Sequence, residues 1–327
     1  MGQSTGSRSM TVRVLGDAEV TSLITMGESI EVMAAAFRRH ARGRLAAPAR
    51  LAAPLEWGQL IFTAGAYCDD DGGRIGFRVY DMQHFGSSDR DELVAVFDTD
   101  NGSLLGLVAG TALGPLRTGA IGGVAIDTLA RSDATTLALV GTGKQARTQL
   151  QAACAVRNFD VIRAFSRNAD RRESFCREMS ETVGVEIQAV ESARAAVTDA
   201  DVVICSTLSD TPVLETDWIA RGTHVQNVGP KFRDSSELPV DLYESADVLV
   251  TDAPAQLEDY GEKFLVAGTR HADRIVSLGE VVSGAAGRTD PEQITVLCSL
   301  GLAGTEVALA DRLLQRDALS ENRPLDS

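Results

Sequence analysis

The chain has 327 residues, 44% of them hydrophobic and only 5% aromatic, and 46 acidic against 31 basic side chains give a formal net charge of −15. That length suits about two domains, because single cores rarely grow past roughly 250–300 residues. So acidic a balance argues against a nucleic-acid or anionic-membrane surface, which needs a clustered positive field, and leaves small molecules and other protein chains as the expected partners.

Residues 1–10 are polar and lack the apolar run of a signal peptide, so they read as a disordered start. Gly2 opens like a myristoylation signal, but Gly6 stands where that pattern needs Ser or Thr. No stretch of about 18 uncharged apolar residues occurs. The five cysteines, Cys68, Cys154, Cys176, Cys205 and Cys298, are odd in number and without CxxC spacing. Neither a disulfide framework nor a zinc knuckle is suggested, and a reducing, cytoplasmic home is expected.

From Met10 to about Arg117 a helix-like stretch, Ser29 to Arg42, is followed by strand-like runs at Gln59–Thr63, Ile75–Val79, Leu93–Asp98 and Leu104–Ala109. Turns such as Asp100-Asn101-Gly102 separate them, giving an α+β domain. From Thr136 the texture becomes strand-plus-helix alternation, with short apolar runs at Leu137–Val140, Val161–Phe165, Asp201–Cys205, His224–Val228 and Asp247–Thr251. Such alternation predicts a parallel sheet with crossover helices. The segment from Pro291 to about Gln315 reads as one long buried helix. The expected division is an α/β chain: residues 1–118 bind substrate and dimerise, 119–307 form a Rossmann domain, and 308–327 return to the first domain.

Directly after Leu137–Val140 comes Gly141-Thr142-Gly143-Lys144-Gln145-Ala146, a GxGxxA turn leading into a helical stretch. Gly141 permits the tight turn, Gly143 lets backbone approach a pyrophosphate, and Ala146 allows close helix–strand packing, with the helix N-terminus supplying N–H groups. With a strand before and a helix after, the pattern predicts dinucleotide binding. The next strand ends Ser166-Arg167-Asn168, without the acid that accepts a ribose 2′-hydroxyl in NAD sites. Ser166 and Arg167, with Arg171 or Arg172, suit a 2′-phosphate instead, so NADP(H) is preferred over NAD(H), the alternative being a solvated basic helix start. Thr207, Val228 and Gly229 complete the expected cofactor contacts.

The chain resembles the ornithine cyclodeaminase/mu-crystallin family over almost its whole length. The resemblance rests on Pro48-Ala49-Arg50, Gly76-Phe77-Arg78, the Asp98–Gly102 turn, Leu116-Arg117-Thr118-Gly119-Ala120 and GTGKQA. It continues through Ala200–Val203, Pro212-Val213-Leu214, His224–Gly229 with Glu237-Leu238, and Ser299–Ala303. It implies a homodimer paired through the first domain, a nicotinamide cofactor, and a 2-amino or 2-imino acid substrate whose carboxylate is clamped by Arg50 and Arg117. Guanidinium suits that task, being permanently charged and two-pronged.

Two positions depart from the cyclodeaminase pattern. Arg78 replaces a lysine; it is suited to orienting substrate but is a poor general acid. Lys231 stands where those enzymes carry an aspartate; Asp234, three residues on, is the one substitute in reach. This favours imine reduction, which needs orientation and charge complementarity more than a strong acid. If Arg50, Arg78, Arg117 and Lys231 all face the pocket, four positive charges call for a substrate with two acidic groups. His84, near the strand of Arg78, is a further candidate proton donor. His224, His40 and His271 read as structural or surface residues. No set with metal-ligand spacing is seen, and Asp69-Asp70-Asp71-Gly72 reads as a solvated turn. The expected activity is NAD(P)H-dependent reduction of a 2-imino acid. Its rivals are an ornithine or lysine cyclodeaminase using bound NAD, and a non-catalytic NADPH-dependent binder of small ligands.

Overall fold

A computed structural model describes residues 12–70, 72–82 and 91–321. Residues 1–11, Asp71 and His84 lie outside the described residues, so the readings placed on them have no structural counterpart here.

The first part comprises β1 (Val14–Leu15), α1 (Asp17–Leu23), α2 (Met26–Ala41), β2 (Leu45–Ala46), β3 (Leu51–Leu55), β4 (Gly58–Asp69), β5 (Gly72–Asp81), β6 (Glu92–Asp98) and β7 (Leu104–Gly110). Helix α2 starts at a reciprocal cap: the Thr25 hydroxyl accepts the Glu28 N–H at 3.2 Å and the Glu28 carboxylate accepts the Thr25 N–H at 2.9 Å. Two donors that the helix start would orphan are thereby satisfied. Its Ile30, Met33, Ala36 and Phe37 stripe is buried.

The strands run in the order β1-β7-β6-β5-β4-β2, with β3 also paired to β4. All pairs are antiparallel except β1 with β7. Side chains alternate between the faces of a strand. On β5, Gly76, Arg78 and Tyr80 therefore point inward, while Ile75, Phe77 and Val79 point outward.

Helix α3 (Leu113–Leu129) runs through the expected 118/119 boundary and leads to the second part. There follow β8 (Thr136–Val140), α4 (Lys144–Val156), β9 (Val161–Phe165), α5 (Ala169–Val183), β10 (Ile187–Ala189), α6 (Ala193–Val197), β11 (Val202–Cys205) and β12 (His224–Asn227). A short hairpin, β13 (Lys231–Phe232) with β14 (Ser235–Ser236), precedes α7 (Val240–Ser245), β15 (Val248–Thr251), α8 (Pro254–Tyr260), β16 (Ile275–Ser277), α9 (Leu278–Val282), β17 (Thr295–Cys298) and α10 (Thr305–Glu321).

Eight parallel strands form one sheet in the order β10-β9-β8-β11-β12-β17-β15-β16. Its first five strands have Rossmann order, which reverses between β8 and β11; ligands of such sheets bind outside the strand carboxyl ends at that point. The strands are near-continuous apolar runs because helices cover both faces.

The helix expected over Pro291–Gln315 is two elements. Thr295–Cys298 is β17, buried between β12 and β15, and α10 begins only at Thr305. A continuous apolar run fits a buried strand as well as a buried helix. Gly301 and Gly304, both left-handed at φ +83° and +81°, break the chain between the two elements. Helix α10 then packs against β4 to β7 and α2, so residues from the two sheets and these helices share one core.

Candidate active site

The dinucleotide turn lies where the sequence places it, between β8 and α4. Gly141 has φ +108°, and a methyl on it would sit 2.2 Å from the Ser206 carbonyl oxygen, so only glycine fits. A methyl on Gly143 would meet no heavy atom within 4 Å, leaving open space over the first turn of α4. That space beside unsatisfied helix N–H groups fits a pyrophosphate. Ala146 is fully buried against the sheet. Lys144 reaches across to the first domain, its Nζ donating to the Thr111 carbonyl at 2.9 Å. The buried Gln145 Oε1 has no hydrogen-bond partner.

At the end of β9, Thr142 Oγ1 donates to Ser166 Oγ at 3.1 Å, and the Asn168 side chain caps α5 by accepting the Arg171 N–H at 2.8 Å. Of the three arginines offered for a 2′-phosphate, Arg172 is buried and committed to the Ser166 carbonyl (2.9 Å) and Glu191 (3.1 Å). Arg167 and Arg171 are exposed at the same corner.

Thr207 and Gly229 are fastened by one carboxylate. Glu237 accepts the Thr207 N–H and hydroxyl, each at 2.8 Å, the Gly229 N–H at 2.5 Å and Asn227 Nδ2 at 2.8 Å. Burial pushes its carboxyl above the usual range against the pull of these donors. The loops after β11 and β12, where Val228 also lies, are thus tied together at the edge of the crevice.

The substrate side of the crevice is built from six elements. Arg50 precedes β3, Arg78 lies on β5, Glu92 opens β6, Arg117 is in α3, Glu306 begins α10, and Lys231 follows β12. Asp252 fixes the loop after β17 by accepting Ser299 Oγ (3.0 Å), the Leu300 N–H (2.6 Å) and the Gly301 N–H (2.9 Å). The loop's carbonyls face the other way: Leu300 O accepts Arg50 Nη2, and Ser299 O accepts Lys231 Nζ at 2.8 Å. Gln256 Oε1 holds the Arg50 N–H at 2.9 Å.

Arg117 and Arg50 converge over Gly301, where a methyl would sit 2.3 Å from Arg117 Nη1 and 3.1 Å from Arg50 Nη2. Arg117 Nη2 bonds Glu306, and Nε of both arginines is buried without a hydrogen-bond partner. Buried donors left unpaired are costly, so a carboxylate arriving here gains strong, charge-assisted bonds. Burial opposes ionisation of Glu306, but the Arg117 and Arg78 charges outweigh it and hold the carboxyl below its usual range.

The expectation of four uncompensated cations is corrected. Arg78 donates Nε (2.9 Å) and Nη2 to Glu92 and Nη1 to Glu306 (3.4 Å), and its guanidinium stacks 4.4 Å from the Tyr80 ring centroid. Arg78 thus joins β5, β6 and α10 rather than offering its charge to a ligand, which removes one of the four cations on which the expectation of a two-anion substrate rested. Asp234 is exposed on the β13–β14 hairpin, so it does not take the aspartate's place. Arg117 pairs with Glu306, not with Asp127 or Asp98, which hold Arg157 and Arg74. His224 is buried and bonded through Nδ1 to Thr295 Oγ1 at 2.8 Å, away from the crevice cluster. Among the described residues no three His, Cys, Asp or Glu are grouped to hold a metal.

Glu92, Glu306 and Asp252 were not singled out by sequence reasoning. Glu92 shares the inward parity of Val94 and Val96, whose strand pairs with that of Arg78, and Glu306 is the one acid in the apolar run 300–310. An acid on an inward-facing or apolar stretch needs a buried cation, and this was the available signal.

Fold and crevice together define an α/β protein with a nicotinamide-dinucleotide-binding sheet and a buried pair of arginines, Arg50 and Arg117, beside it. Residues 10–321 match the ornithine cyclodeaminase/mu-crystallin family, and the chain belongs to it. It is 32% identical over 317 residues to a Δ1-pyrroline-2-carboxylate reductase of Bacillus cereus, covering 93% of this chain and 96% of that one. The structure of Thermococcus litoralis Δ1-pyrroline-2-carboxylate reductase in complex with NADH and L-proline superposes with a TM-score of 0.83 at 29% identity, covering 94% of this chain and 98% of that one. An archaeal alanine dehydrogenase dimer with bound NAD gives 0.83 at 28% identity, covering 96% and 98%.

Proposed function

We propose that this protein reduces a cyclic 2-imino monocarboxylate of the Δ1-pyrroline-2-carboxylate kind, with NADPH preferred to NADH. The observation that carries this is the convergence of Arg50 and Arg117, each with an unpaired buried Nε, at the carboxyl ends of β12 and β17. Arg78 and Arg117 are matched by Glu92 and Glu306, and Lys231 lies near the buried Glu237 and Asp252, which leaves the Arg50 charge for one substrate carboxylate. The reductases of Bacillus cereus and Thermococcus litoralis, by the substrate in their names, support the same class.

When bound, the nicotinamide supplies a hydride. The protein's part is to hold the carboxylate through Arg50 and Arg117, so that the adjacent imine carbon is fixed in place, and to exclude water by burial. Arg167 and Arg171 support the 2′-phosphate preference as exposed cations at the end of β9. We further propose pairing of two copies through the outer face of the first sheet, where Leu55, Leu60 and Ile75 are 52%, 37% and 49% exposed. An apolar face of that kind calls for a cover, and a second copy of the same face supplies a matching one.

The test is cofactor oxidation with each of NADPH and NADH, offered cyclic monocarboxylic ketimines of two ring sizes and an imine formed from a dicarboxylic oxo acid with ammonia. The monocarboxylic ketimines are expected to turn over best with NADPH. Preference for the dicarboxylate, or ammonia release from ornithine without net cofactor oxidation, would overturn the reading.

A further inference from the structure

We propose that Lys231 donates the proton to the substrate's imine nitrogen. The proposal rests on the imine-reduction reading above and adds to it a named acid.

The argument is one of placement. Asp252 draws the Ser299 hydroxyl and the Leu300 and Gly301 N–H groups to one side of the loop after β17. The next two carbonyls are left facing the crevice, Ser299 O taking Lys231 Nζ at 2.8 Å and Leu300 O taking Arg50 Nη2. The ammonium and one arm of the carboxylate clamp thus hang from consecutive residues, a step of roughly 3.5 Å along a chain. In a 2-imino acid the nitrogen is two bonds from the carboxylate carbon. A carboxylate held by Arg50 and Arg117 therefore brings its imine nitrogen to the neighbourhood of Lys231.

An ammonium has three donors. One is given to Ser299 O, and a second reaches Val228 O only at 3.4 Å. No acceptor among the described residues is recorded for the third. The side chain is 4% exposed, so water does not compete freely for it. Burial also lowers its hold on the proton, against the opposing pull of Glu237 and Asp252, which suits a lysine to acid–base work. Arg78 is excluded from this role by its engagement with Glu92 and Glu306.

In the step, an N–H bond of Lys231 breaks and a new one forms on the imine nitrogen. The hydride and its electron pair, from the reduced nicotinamide, form the C–H bond at C2. The C=N π pair becomes the amine lone pair, the cofactor is oxidised, and neutral Lys231 regains its proton from water.

The experiment measures equilibrium binding of picolinate and of benzoate to the full-length protein by calorimetry, with and without NADP+. Picolinate carries a lone pair where the imine nitrogen would be; benzoate has a C–H there. The wild type is expected to bind picolinate about tenfold more tightly than benzoate. Lys231→Met should abolish that preference, any loss of carboxylate affinity being shared by both acids, and its residual benzoate binding reports that the variant is folded. Lys231→Arg should keep the preference but lose turnover, because arginine donates a hydrogen bond without releasing its proton. Retention of the picolinate preference in Lys231→Met would overturn the proposal while leaving the imine-reductase reading intact. Failure of the wild type to bind either acid would overturn the carboxylate clamp and, with it, both.

Discussion

Arg78 spends two of its donors on a single oxygen of Glu92, while the other oxygen of that carboxylate accepts the Gly114 N–H at the start of α3. One buried pair thus ties β5, β6 and the helix that carries Arg117. Removing one partner leaves an uncompensated charge where water cannot reach. Glu92→Leu should destabilise the fold by about 3–5 kcal/mol, and the double change with Arg78→Met should recover most of that. Urea unfolding of the three variants measures it; additive losses in the double variant would show that the pair is not coupled.

Glu306 holds Arg117 and Arg78 with the same oxygen, Oε1. Glu306→Gln keeps the shape but removes the charge that orients Arg117, so the carboxylate clamp should loosen. KM for the imino acid is expected to rise about tenfold, the loss of roughly one charge-assisted bond, with KM for the cofactor within twofold. Glu306→Asp should recover part of the effect. Equal rises in both KM values would indicate a general loss of structure.

Much of this was written in local pattern. The GTGKQA turn and the buried parallel strands can be read from residue type and spacing, because each depends on neighbours in sequence, whereas the joint role of Arg50 and Arg117 is implied only by the family resemblance. The partners of Arg78 cannot be read locally. Glu92 lies one strand away and Glu306 lies 228 positions away along the chain, brought there only when α10 folds back onto the first sheet. The same distance in sequence hid the strand nature of Thr295–Cys298, whose apolar run becomes a strand because β12 and β15 flank it. The exterior accounts for the net charge of −15, but the crevice cations carry their own buried acids.

Arg167 and Arg171 are exposed at the end of β9, and Arg172 is already engaged. If the first two receive a 2′-phosphate, Arg167→Ala should cut kcat/KM for NADPH about tenfold, as expected for losing one charge-assisted contact, and leave NADH unchanged. The double change with Arg171→Ala should bring the two cofactors close to parity. Steady-state kinetics with each cofactor decides this; an equal fall for both would place the arginines outside the phosphate site.

The outward residues of β5 alternate with the inward Gly76, Arg78 and Tyr80, so a charge can be placed on Ile75 without touching the crevice. If two copies pair through this face, Ile75→Glu puts two like charges near the two-fold axis, where an apolar side chain would otherwise be covered. Light scattering should report about half the wild-type mass. An unchanged mass would assign the interface to another surface.

His224 offers a separate handle on stability, since it is buried in β12 with Nδ1 bonded to Thr295 Oγ1. Burial, with the Arg288 charge adding to it, drops the imidazole from 6.5 to about 3. The unfolded chain therefore binds this proton first as pH falls, and stability present above pH 6.5 is lost progressively below it, down to the folded value. Between pH 7 and pH 5 the loss is about 2 kcal/mol, and pH 5 still lies above the folded value, so the native ring stays neutral throughout. Asparagine can keep the bond to Thr295 without titrating. In urea unfolding at the two pH values, the wild type should lose about 2 kcal/mol more than His224→Asn; all other titrating groups are common to both proteins and cancel. Equal losses would mean that His224 is protonated alike in the folded and unfolded chains.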